Sequence, residues 1–131
     1  MSTRIPEAFL DLFEKKAFAH LATVMADGSP QVSPVWVDLD GEVVRVNSAV
    51  GRIKDQNIKR NPKVALSIVD PENAYRFLLV RGRVVKIIQQ GADAHINALA
   101  KKYLGLDEYP YRQEGEVRVI YRIQPEFVTG R

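Results

Sequence analysis

The chain has 131 residues, 46% of them hydrophobic and 27% charged, with a formal net charge of +3. This is the profile of a single soluble domain, spanning 1–131, that is long enough to bury a core. No run approaches the ~20 apolar residues of a membrane span. The absence of cysteine excludes disulfides, thiolate metal sites and cysteine nucleophiles. Met1 to Glu7 carries no apolar leader, so the expectation is a cytoplasmic protein with no membrane partner. The mild positive charge suits an anionic ligand, although a slightly basic solvated surface accounts for it equally well.

Pro6 to Lys16 reads as a short helix, with proline at its first turn and Phe9, Leu12 and Phe13 on one face. Ala19 to Val24 alternates as a strand, with Ala19, Leu21 and Thr23 on one side. Asp27-Gly28 then supplies a hairpin turn. Gln31 to Asp38 reads as one strand in which Pro34, lacking an N–H, marks an edge or a bulge. Asp40-Gly41 is a second hairpin turn and Val43 to Asn47 a third strand. After the loop Ser48–Gly51 comes a helix over Arg52 to Arg60, with Asp55 and Lys59 as an i,i+4 pair and Asn61-Pro62 as its stop. Lys63–Val69 and Tyr75–Ile88 are strands, the second with a bend or bulge at Gly82. Gly91 to Leu104 is a helix closed by Gly105, and Val117 to Ile123 is the last strand. This makes a mainly β fold with about three flanking helices. Its six strands form an antiparallel, Greek-key-like barrel, because closure removes exposed edges.

The segment Asn47-Ser48-Ala49-Val50-Gly51-Arg52-Ile53-Lys54 joins a strand end, a glycine loop and two cations at a helix start. Free N–H groups at a helix N-terminus attract an anion, and arginine adds a fork that takes phosphate oxygens in pairs. Two cations there oppose the helix dipole unless an anion joins them. From these residues alone, an anion grip and two solvated side chains stand level.

Three stretches taken in order resemble the pyridoxamine 5′-phosphate oxidase-like split-barrel superfamily. They are Asp-Gly-Ser-Pro-Gln-Val-Ser-Pro-Val-Trp, Gly-Arg-Ile-Lys-Asp-Gln-Asn-Ile-Lys-Arg-Asn-Pro-Lys-Val-Ala-Leu and Leu-Val-Arg-Gly-Arg-Val. Within it the chain is most similar to the short deazaflavin (coenzyme F420)-dependent reductases. The resemblance implies a homodimer with two cofactor sites at its interface. It also implies hydride transfer from reduced F420 to an electrophilic organic acceptor. By it, Arg52 and Lys54 hold the cofactor phosphate with Ile53 between them. Gln31, Ser33, Pro34, Val35 and Trp36 line the ring, Asn47, Ser48 and Ala49 flank the ribityl chain, and Tyr75 comes from the partner subunit. Arg52-Ile53-Lys54 departs from the adjacent Arg-Lys of the true oxidases, and their C-terminal substrate motif is missing. FMN is the alternative cofactor, with an FMN oxidase or reductase or a non-catalytic flavin-binding module as the alternative protein.

The cofactor carries the chemistry in such a protein, in keeping with the lack of a Ser-His-Asp set, HExxH or paired carboxylates, and no catalytic residue is assigned. His20 and His95 have no metal-ligand spacing and read as structural, so no metal is expected. Tyr109, Tyr111 and Arg112 either rim a substrate pocket or cap the barrel. Lys54, Lys59, Arg60 and Lys63, with Tyr75 and Phe77, form the rival nucleic-acid platform. The aromatics do not interleave with the cations, so no nucleic-acid partner is expected.

Overall fold

The alternating runs are realised as seven strands: β1 (Ala19–Val24), β2 (Pro30–Val35), β3 (Val37–Asp40), β4 (Val43–Ala49), β5 (Lys63–Asp70), β6 (Asn73–Ile88) and β7 (Arg118–Gly130). A 3₁₀ helix (Glu7–Phe13) and two α-helices, α1 (Ile53–Arg60) and α2 (Ala92–Leu104), complete the chain. The computed structural model describes residues 3–131, so the part of the leader reading that falls on Met1 and Ser2 lies outside it. All pairings are antiparallel, in the order β2-β1-β5-β6-β7-β4-β3. The fold is mainly β with three helices, an open, curled sheet.

The predicted strand Gln31–Asp38 is two strands, because the chain breaks at Trp36. β2 and β3 are the opposite edges of the sheet, yet Trp36 alone joins them. Two trans peptide links span at most about 7–8 Å. The edges therefore meet at Trp36, and the sheet has to curl around its core. Ala19, Leu21, Val46, Leu66, Ile68, Leu78, Val80, Tyr121 and Ile123 fill the inside and are almost fully buried.

β7 runs past its predicted end at Ile123, through Pro125, to Gly130. The register against β6 slips between Arg81 and Gly82, opposite Phe127 and Pro125. A bulge is where a proline's missing N–H is tolerated in a paired strand. At Gly82 a Cβ would collide with the Gln124 carbonyl, so glycine lets the two backbones close at this slip. The first helix is 3₁₀ rather than α, with Phe9 N donating to the Pro6 carbonyl oxygen (2.9 Å). Leu12 and Phe13 anchor it to the core.

α2 packs on the outside of β7 and β4. Residues 46–49 of β4 and 118–121 of β7 are consequently buried on both faces. Val46, Ser48, Val119 and Tyr121 alternate along one side of the paired strands, and Asn47, Ala49, Arg118 and Ile120 along the other.

Candidate functional site

The loop before α1 is shaped by its glycine and its aspartate. Gly51 adopts φ +93°, a left-handed conformation that side chains disfavour. Asp55, in the first turn of α1, reaches back so that Gly51 N donates to its Oδ2 at 3.0 Å. Its other oxygen accepts from the Tyr121 hydroxyl (2.8 Å), and Lys59 Nζ lies 3.0 Å from Oδ2. Burial would raise the Asp55 carboxyl, but these donors outweigh it and hold it below the ordinary value. The same hydrogen bond, added to burial, pushes the Tyr121 phenol far up.

With the loop held, Arg52 stands at the N-cap of α1, and its side chain does not cap the helix. The N–H groups of the first turn thus retain their capacity for an anion. Arg52 and Lys54 both line the adjoining cleft. Burial, together with the nearby charges of Arg52 and Arg118, holds the Lys54 amine below its ordinary value. An anion at the start of α1 would relieve Arg52 and Lys54 together. Glu116 lies beside them, with Oε1 accepting from Arg118 Nη1 at 2.6 Å and Oε2 lying 3.9 Å from Arg52 Nη2. Its own burial is outweighed by Arg118 and Arg52, which keep it ionised.

The other walls of the cleft are apolar. Phe18, Trp36, Tyr109 and Tyr111 line it with Pro34, Val35, Ile96 and Leu99, around a cavity of about 150 Å³ that opens to solvent. Trp36 stacks on Tyr103 at 5.1 Å with an interplanar angle of 6°. Tyr109 meets Trp36 edge-on at 5.9 Å and Tyr111 meets Tyr109 likewise at 5.7 Å. Tyr103 is itself pinned, its hydroxyl donating to Ala17 O at 2.7 Å and accepting from Val37 N at 3.2 Å. The indole therefore rests on a fixed support.

A polar chain runs from the cleft into the protein. Asn47 Nδ2 donates to Ala92 O (2.8 Å), and its Oδ1 accepts from Arg118 Nε (2.9 Å). Both contacts fix the amide in one orientation. Asn47 Nδ2 is then also the donor to His95 Nδ1 (3.1 Å), which leaves His95 Nε2–H to face Asp38 Oδ2 at 3.1 Å. Arg45 pairs with both oxygens of Asp38 at 2.8 Å. Both His95 nitrogens are engaged, in accord with its structural reading. His20 instead projects outward, exposed, near the start of β1. No cluster of metal-ligating side chains occurs among the described residues.

Of the residues singled out from sequence, Pro34, Val35, Trp36, Asn47, Arg52 and Lys54 come together in this one cleft. Gln31, Ser33, Ser48, Ala49, Ile53 and Tyr75 do not line it. Gln31 accepts from Thr23 Oγ1 at 3.1 Å, and the hydroxyls of Ser33 and Ser48 are buried without a partner among the described residues. Ala49 borders a neighbouring hollow with Arg52, Ile53 is 54% exposed, and Tyr75 is 86% exposed on β6. Tyr109 and Tyr111 rim the cleft, whereas Arg112 turns to Asp93 at 2.8 Å. Sequence reasoning missed Phe18, Arg118 and Glu116. Arg118 lies between two residues of the core-facing alternation, where a solvent-facing side chain is expected, and only the covering by α2 makes it internal.

The family model for pyridoxamine 5′-phosphate oxidase matches residues 5–130. A solved structure named F420 reductase is similar at 38% identity, covering 95% of this chain and 98% of that one, with a TM-score of 0.83. HupZ of Group A Streptococcus is 25% identical, covering 96% and 93%, with a TM-score of 0.67. HutZ, the heme storage protein of Vibrio cholerae, is 18% identical over 97% and 94% at a TM-score of 0.67, a likeness of fold alone. No curated protein matches the chain.

Proposed function

Because the chain belongs to the pyridoxamine 5′-phosphate oxidase family, we propose that it is an oxidoreductase that binds coenzyme F420 and reduces an electrophilic organic acceptor. The observation that carries this reading is the half-buried Lys54, which has no carboxylate partner among the described residues, beside Arg52 at the start of α1. The donor set fits a phosphate: a planar guanidinium fork, an ammonium and free helix N–H groups. Similarity to a structure named F420 reductase supports the deazaflavin over FMN, as does the Arg52-Ile53-Lys54 spacing.

When bound, the reduced cofactor supplies the hydride. The chain's part is to hold and shield. Arg52 and Lys54 fix the phosphate, and Asp55 keeps their loop in shape through Gly51. Pro34, Val35 and Trp36 offer a flat, apolar wall for a ring, and Tyr109 and Tyr111 limit water at the rim beside it. Tyr75, too far out to serve its own cleft, completes the cleft of a second subunit in a homodimer.

Titration of the cofactor-free protein with F420 and with FMN, followed by ligand fluorescence, tests the reading. F420 is expected to bind more tightly. Arg52→Ala/Lys54→Ala is expected to lose at least about 100-fold in affinity, since each charge-assisted hydrogen bond contributes roughly 1.5–3 kcal/mol. An unchanged affinity in the double variant refutes the phosphate grip, and tighter FMN binding moves the protein to the flavin side of the family. Light scattering is expected to give twice the chain mass, and Tyr75→Ala to weaken cofactor binding without unfolding the protein. A monomer removes the role given to Tyr75.

A further inference from the structure

We propose that Arg118 is a second recognition point of the cleft, separate from the phosphate grip, that takes a carboxylate or carbonyl oxygen of a planar, conjugated acceptor molecule. That the ligand is an acceptor rests on the oxidoreductase reading; the site rests on the geometry alone.

Arg118 is a buried cation, its side chain only 2% exposed, yet it lines the cleft. Burying a guanidinium is costly unless its donors are used. Here Nε is spent on Asn47 and Nη1 on Glu116, while Nη2 donates to no protein acceptor among the described residues. The group is held rigidly, because Asn47 is locked by Ala92 and His95, and His95 by Asp38. Its carbon lies 5.1 Å from the centroid of the Tyr109 ring, which meets Trp36 edge-on. A fixed fork with unspent donors beside aromatic walls selects a flat ligand carrying an oxygen at its edge. Glu116 already holds the same guanidinium through Nη1, so it tunes the site against anions.

The cofactor-free protein is titrated with 2-naphthoate and with its neutral analogue 2-naphthylmethanol, followed by ligand-observed NMR. Wild type is expected to prefer the carboxylate. Arg118→Gln, whose carboxamide can still meet Asn47, is expected to lose tenfold or more for 2-naphthoate and little for the alcohol. Its F420 and FMN affinities are expected to stay within about threefold. Glu116→Gln removes the competing charge and is expected to tighten 2-naphthoate several-fold. Arg52→Ala/Lys54→Ala is expected to weaken 2-naphthoate far less than Arg118→Gln does. No binding of 2-naphthoate to wild type overturns the proposal. So does equal loss of naphthoate and cofactor in Arg118→Gln, which would make Arg118 part of the phosphate grip. Should Arg118→Gln fail to fold, an unchanged affinity in Glu116→Gln overturns it. If neither cofactor binds while 2-naphthoate still discriminates through Arg118, the cofactor reading falls and this site stands.

Discussion

At the scale of single residues, the cleft depends on side chains that never touch its ligand. Tyr121 is fully buried, and its hydroxyl is one of three donors that hold Asp55 and, through it, Gly51. Tyr121→Phe leaves a buried carboxylate short of a partner and is expected to cost about 1–3 kcal/mol in urea denaturation. It should also weaken anion binding, because the loop bearing Arg52 loosens. Full retention of stability would mean that Gly51 and Lys59 suffice. Arg52 and Lys54 are legible in the sequence because glycine, cations and a helix start lie in one short run. Arg118 is not, since its partner Asn47 sits on another strand and its burial depends on α2.

At the scale of elements, the strands and both α-helices are readable from alternation, Asp-Gly turns and the Asn61-Pro62 stop. The places where reading fails are places where tertiary contacts override local pattern. The corner at Trp36 looks like continuous strand, because alternation does not register a change of sheet edge. The passage of β7 through Pro125 looks like an ending, because the bulge that tolerates it is built with Gly82, far away in sequence. The 3₁₀ helix is tied to the β5–β6 turn by ions. Arg76 reaches Asp11 (2.7 Å) and Asp70 (2.9 Å), and Lys15 lies 3.1 Å from Asp70. The Glu72 N–H, Arg76 and Lys15 depress Asp70 from 3.8 to about 2. A depressed carboxylate stabilises the fold above its unfolded value and loses that contribution as pH falls through the folded one. Melting temperature is therefore expected to fall between about pH 4 and pH 2, and Asp70→Asn to flatten that part of the profile. Parallel profiles for the two proteins would place the acid sensitivity elsewhere.

At the scale of the whole molecule, the sheet is one seven-stranded unit whose edges are joined by a single residue. Trp36 is the sole tryptophan and sits at that joint. Its fluorescence and the far-ultraviolet circular dichroism of the strands are expected to change with the same urea midpoint. An earlier fluorescence transition would show that the corner opens before the sheet. The strand order also bears on biosynthesis. β7, made last, lies between β6 and β4. Until it leaves the ribosome, the strands can pair only as two fragments, β2-β1-β5-β6 and β4-β3. The α2 surface that covers Asn47 lacks its β7 support, and Arg118 does not yet exist. Completion of the cleft therefore waits for β7, and a nascent chain stalled before residue 118 has no finished cleft with which to capture a ligand.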